Sequence, residues 1–85
     1  MEIFYTQKFL REYKKLDKEI KIKAEKRTQT FQDDPYASIL KTHKLKGELD
    51  DFWSFSVDFS YRIIFEFKNE ETVIFHSIGN HSIYK

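Results

Sequence analysis

The sequence predicts an α+β fold, with two N-terminal helices packed on a twisted, mainly antiparallel sheet of about four strands. Three observations predict it. Apolar residues recur at helical spacing from Phe9 to Phe31. Asp33-Asp34-Pro35 ends that stretch, because the residue before a proline is pushed out of helical geometry. From Leu45 onward the apolar period drops to two.

Met1 to Tyr5 is short, apolar and aromatic, and reads as a strand. Thr6 can cap the helix that follows, in which Phe9, Leu10, Tyr13 and Leu16 form the apolar face between charged neighbours. Asp17 is a second capping residue, after which Ile20, Ala24, Arg27 and Phe31 keep the helical period. This describes two helices with a tight joint or one bent helix. Residues 36–42 read as an irregular connection with room for one helical turn. Trp53, Phe55, Val57 and Phe59 then alternate with Ser54, Ser56 and Asp58, and Tyr61, Ile63, Phe65 and Phe67 alternate with Arg62, Ile64, Glu66 and Lys68. The link near Phe59-Ser60 is short enough for a hairpin, Lys68-Asn69-Glu70-Glu71 makes a second turn, and Thr72 to Ile78 forms the last strand. If the aromatic face packs on the helices, Ser54, Ser56, Asp58, Arg62 and Glu66 share a polar face on which a nucleic acid can lie.

With 85 residues the chain is expected to be a single domain, residues 1–85. Nine Phe, five Tyr and one Trp supply large apolar area per residue, which offsets the small size of the core. The absence of cysteine excludes a disulfide frame and thiolate zinc sites. No apolar run approaches the roughly 20 residues that span a bilayer, and the N-terminus lacks a signal-peptide pattern. A cytoplasmic protein without a membrane partner is the expectation. The net charge of +1 hides an asymmetry: residues 1–46 carry 12 Lys/Arg against 7 Asp/Glu (+5), and residues 47–85 carry 3 against 7 (−4). Basic charge thus concentrates in the helical half, either as a docking face for a polyanion or as a solvated helix surface.

A set of proton-transfer and phosphate-binding side chains lies in the second half: His43, Lys44 and Lys46, then Arg62, then His81 and Tyr84. RNA cleaves when its 2′-hydroxyl attacks the adjacent phosphorus. Catalysis needs a base, an acid for the leaving 5′-oxygen, and positive charge on the transition state. Imidazole suits the first two tasks and guanidinium the third. Each residue also has a bland reading. His43 can be an exposed loop histidine. Lys44 and Lys46, which extended geometry turns one way while Leu45 turns to the core, can be solvated. Arg62 can pair with Glu66 or Asp58. His81 and Tyr84 can belong to a frayed end. His76 reads as structural, since Ile74 and Ile78 share its face. Trp53 is either core or a rim residue for base stacking. No metal-ligand spacing, Gly-rich phosphate loop or Gly-x-Ser-x-Gly elbow is present, so no metal and no cofactor are expected.

In this order the chain resembles the RelE/ParE toxin superfamily, most of all its YafQ-like and RelE/StbE branches. The resemblance spans nearly the whole length: the strand-then-two-helix opening, the Asp34-Pro35 break, His43-x-Leu45-x-Gly47, Trp53-Ser54, Tyr61-Arg62-Ile63-Ile64-Phe65, and Gly79-x-His81 with Tyr84. It implies two helices on a twisted antiparallel sheet. It also implies a toxin neutralised by a cognate antitoxin, touching operator DNA only through the antitoxin complex. The RelE-like branches cut messenger RNA on the ribosome without a metal. By position, Arg62 would bind the scissile phosphate and His81 would be the leading acid or base. His43 would assist, Lys44 and Lys46 would contact phosphates, and Tyr84 would orient or stack on a base. Trp53 and Ser54 complete the expected RNA-binding set. Where some relatives carry a glutamate about four residues before the first histidine, this chain has Ile39. Two other readings stay open: a ParE-like inhibitor of DNA gyrase, and an inactive relative that only binds its antitoxin.

Overall fold

The computed structural model describes residues 1–49 and 51–80. Strand β1 (Glu2–Tyr5) leads into helices α1 (Gln7–Lys14) and α2 (Lys18–Asp33). Both helix starts follow from local chemistry. The Thr6 hydroxyl accepts from the Phe9 N–H at 3.0 Å, and the Asp17 carboxylate accepts from the Ile20 N–H at 3.0 Å. The joint at Asp17 therefore separates two helices. α2 ends at Asp34-Pro35, and a 3-10 turn, Ser38–Leu40, fills the connection.

Four further strands follow: β2 (His43–Lys44), β3 (Trp53–Ser56), β4 (Arg62–Phe67) and β5 (Thr72–Gly79). The sheet order is β1-β5-β4-β3-β2, with β1 parallel to β5 and the other pairs antiparallel. The sheet thus has five strands rather than about four. The extra one is the two-residue β2, too short for its periodicity to register in sequence. Gly47, at φ 74°, turns the chain away after it in a conformation that an L side chain disfavours.

The core lies between the helices and one sheet face. Phe9, Ala24, Phe31 and Leu40 meet Phe55, Val57, Ile63, Phe65, Val73, Phe75 and Ile78 there. Phe31 is its centre, with ring centroids 4.8 Å from Phe55, 4.9 Å from Phe65 and 5.6 Å from Phe75. Leu10, expected on the apolar face of α1, is instead half exposed, because α1 offers the core only Phe9 with Tyr13 packed beside it.

One long-range contact closes an exposed strand edge. β1 stops pairing with β5 at Phe75, so the β5 edge beyond it lacks a strand partner there. Glu12 of α1 takes that place: its Oε1 accepts from the Ile78 N–H at 3.1 Å and from the Ser77 hydroxyl at 2.8 Å. Glu12→Ala is expected to destabilise the fold by about 1–3 kcal/mol, since it orphans a backbone donor and a buried hydroxyl. Glu12→Gln keeps an acceptor oxygen and should lose less. Urea midpoints at unchanged m-value would show both effects.

Candidate functional site

Register sorts the side chains on the sheet face opposite the core. His43, Ser54, Ile64 and Ser77 are directly paired across β2, β3, β4 and β5, so they form one row. Ser56, Arg62 and Gly79 form the next row. His43 and Arg62 therefore stand on the same face, two strands and two residues apart. Strand spacing of ~4.8 Å and a rise of ~3.4 Å per residue put their Cα atoms on the order of 12 Å apart. One phosphodiester fits between an imidazole and a guanidinium reaching toward each other over that distance.

Each side chain is held. The Arg62 guanidinium donates through Nη1 to the Ser56 hydroxyl. His43 Nδ1 lies 3.0 Å from the Lys41 carbonyl. A carbonyl only accepts, so Nδ1 carries the proton in this contact. A neutral His43 then presents Nε2 as its basic nitrogen. Lys41 itself sits at φ 52°, the one non-glycine residue with positive φ among those described. That conformation costs backbone energy in a residue with a Cβ. Lys41 and Arg62 line the same groove at the β3–β4 end of the sheet, together with Arg27 of α2. Three cations that lie far apart in sequence thus line one groove, and the Lys41 carbonyl links that groove to His43.

The β3–β4 turn is fixed by Asp58, whose Oδ1 accepts from the Ser60 and Tyr61 N–H groups, each at 2.8 Å. Its Oδ2 lies 3.6 Å from the Lys23 ammonium. Burial alone would raise the Asp58 pKa. The two backbone donors and Lys23 outweigh burial and hold the carboxyl below its ordinary value. Asp58 is thus a turn residue spent on its own backbone and on α2, not part of a polar sheet face.

The family model described as "YoeB-like toxin of bacterial type II toxin-antitoxin system" matches residues 5–81. The chain belongs to this family. The YoeB-like fold is also found in solved structures. The YoeB/ParE toxin from Agrobacterium tumefaciens is 18% identical, covers 95% of this chain and 99% of its own, and has a TM-score of 0.80. YafQ from E. coli is 17% identical, with coverage of 98% and 96% and a TM-score of 0.81. The YoeB-YefM complex from Staphylococcus aureus is 18% identical, with coverage of 95% and 97% and a TM-score of 0.77. At these identities the likeness is one of fold. No curated protein matches the chain significantly. YoeB and YafQ toxins fall within the RelE/ParE superfamily, which is the resemblance read from the sequence.

Within this YoeB-like frame the other expected residues are distributed as follows. Lys44 pairs with Trp53, so it stands on the helix side of the sheet, opposite to His43. The Leu45 N–H donates to the Phe52 carbonyl at 2.9 Å, which continues the register and turns Leu45 to the His43 face. The expectation that Leu45 faces the core is corrected: β2 enters the sheet with His43 on the open face, and every second residue follows. Lys46 is exposed just beyond β2. Trp53 packs edge-on to Phe67, centroids 5.3 Å apart, at the margin of the core. Ser54 is fully buried in the His43 row. Ser56 and Ser77 are buried as well, so this face is more closed than strand alternation suggests. His81 and Tyr84 lie outside the described residues. In sequence, His81 comes two residues after Gly79, the register partner of Arg62.

Sequence reasoning missed one pair. Simple alternation puts His76 on one face with Ile74 and Ile78. A register shift leaves Ile64 opposite Ser77 but Phe65 opposite Phe75, so His76 is the extra residue of a bulge. Its Nε2 donates to Glu66 at 2.9 Å, and its ring lies 4.8 Å from Phe52. His76 therefore keeps the open face of Ile74, the partner of Glu66, while the bulge moves Ile78 to the core face with Ile63, and no local signal marks that shift. Among the described residues, no group of three or more His, Cys, Asp or Glu could hold a metal, and no helix is long and apolar enough to cross a membrane.

Proposed function

We propose that this toxin is a ribosome-dependent, metal-independent endoribonuclease that cuts messenger RNA and so inhibits translation. The observation that carries the reading is the placement of His43 and Arg62 on one sheet face beside a cationic groove, with His43 held so that Nε2 is its basic atom. In this reading His43 Nε2 removes the 2′-hydroxyl proton and the 2′-oxygen attacks phosphorus. Arg62 balances the added negative charge, and His81 protonates the departing 5′-oxygen. The products are a 2′,3′-cyclic phosphate and a 5′-hydroxyl. Tyr84 orients or stacks on a base, Lys46 contacts a flanking phosphate, Lys44 reaches another around the edge of β2 from the helix side, and Trp53 and Ser54 support that edge. A cognate antitoxin in the cytoplasm completes the system; structures of relatives with the antitoxins YefM and DinJ support such a partner.

The test is to map message 5′ ends in cells shortly after induction, with His81→Ala and His43→Ala beside the native protein. New ends within translated frames are expected. They should disappear with His81→Ala and fall strongly with His43→Ala. Intact messages with arrested growth and DNA damage would instead support gyrase inhibition, and intact messages with normal growth an inactive relative.

A further inference from the structure

The groove beside Arg62 is larger than a single phosphate requires. Its volume is about 460 Å³, and Arg27, Lys41, Arg62 and Phe59 line it. The Arg27 Nε donates to the Val57 carbonyl at 3.3 Å, which ties its guanidinium to the end of β3. The Nη groups of Arg27 have no partner among the described residues. Asp58, the one carboxylate in the lining, is engaged by two backbone N–H groups and by Lys23 and does little to neutralise the three cations.

Phe59 is the second unusual feature. It is 93% exposed, far more than any other large apolar residue described, and sits on the turn that Asp58 rigidifies. A bare aromatic ring next to clustered cations matches a single-stranded nucleic acid, in which bases stack on rings while phosphates meet basic side chains. An acidic protein segment fits the charge as well. RNA is favoured because the groove is continuous with the candidate site: Arg62 belongs to both, and the Lys41 carbonyl holds His43 while its side chain lines the groove.

We propose that this groove is a subsite for the nucleotide adjoining the scissile phosphate, with Arg27 and Lys41 binding its phosphate and Phe59 stacking on its base. The inference rests on the RNA reading given above and extends it to residues outside the proposed chemistry.

The test is an NMR titration of the labelled protein with a 2′-O-methyl RNA trinucleotide, which binds but is not cut. Shifts are expected to centre on residues 27, 41 and 56–62. Phe59→Ser should weaken binding about fivefold or more, as loss of one stacked base does, with no change in salt dependence. Arg27→Gln and Lys41→Gly should weaken binding and each lower the slope of log affinity against log salt by about 0.7. Lys41→Gly also separates side chain from backbone. Glycine accepts the positive φ without strain, so the melting temperature should hold or rise while affinity falls. The subsite is overturned if the three variants bind like the native protein, if shifts centre elsewhere, or if no shift appears. It is also overturned if hexaglutamate shifts the same residues equally well, which would mark the groove as a protein contact. Groove binding with intact cellular messages would leave the groove as an RNA-binding site but sink the nuclease reading and, with it, the place of this nucleotide beside a scissile phosphate. Message cutting with variants that bind normally would do the reverse.

Discussion

Replacing Arg62 with glutamine is expected to lower message cleavage by about 10²–10³-fold, the usual cost of removing one preorganised donor to a charged transition state. The guanidinium is bonded to Ser56 and lies on the His43 face, so in the proposed mechanism its charge would need little rearrangement as negative charge builds up on phosphorus. The glutamine amide can still meet the Ser56 hydroxyl, which limits the structural cost. Arg62→Lys keeps the charge but loses the planar fork, and its rate should fall between the two. Cleavage of a defined message on purified ribosomes, with unfolding midpoints measured in parallel, separates catalysis from stability. A glutamine variant within threefold of the native rate would remove Arg62 from the mechanism.

Phe31→Ala should cost about 3–5 kcal/mol of folding stability, at the upper end of large-to-small core changes. Phe31 is wholly buried and contacts the rings of Phe55, Phe65, Phe67 and Phe75, so its removal opens a void that several rigid aromatic rings cannot fill by small shifts. Against the 5–15 kcal/mol of a typical domain, that loss leaves a substantial unfolded fraction at growth temperature. Phe31→Leu retains most of the volume and should lose less. Urea unfolding measures both variants. A cost below about 1 kcal/mol for Phe31→Ala would mean that the aromatic cluster repacks freely. In cells this variant should lose toxicity through depletion of folded protein, whereas Arg62→Gln should lose it with the folded protein intact.

Much of the architecture was legible because it is local. Thr6 and Asp17 announce their helices through side chains that bond three residues ahead, and Pro35 ends the second helix by sterics within one peptide unit. The β3–β4 and β4–β5 hairpins follow from alternation and turn residues. The residue types of the candidate site were legible as well: an imidazole at 43 and a guanidinium at 62 stand out in a chain with three histidines. Their joint placement was not legible, because it depends on β2, two residues long, pairing with β3 in one register. That register sends His43 and Lys44 to opposite faces and brings Leu45 onto the face of His43.

The sequence by itself determined the α+β class, the two capped helices, the aromatic core and the superfamily. Each of these rests on short-range periodicity, local capping or an ordered set of residues. Tertiary structure alone decided that Glu12 closes the β5 edge 66 residues away, that a bulge parts Ile78 from the face on which His76 meets Glu66, and that Arg27 and Lys41 join Arg62 in one groove. These contacts depend on strand register and helix placement, which are set by the packing of the whole core and leave no mark in the neighbouring residues.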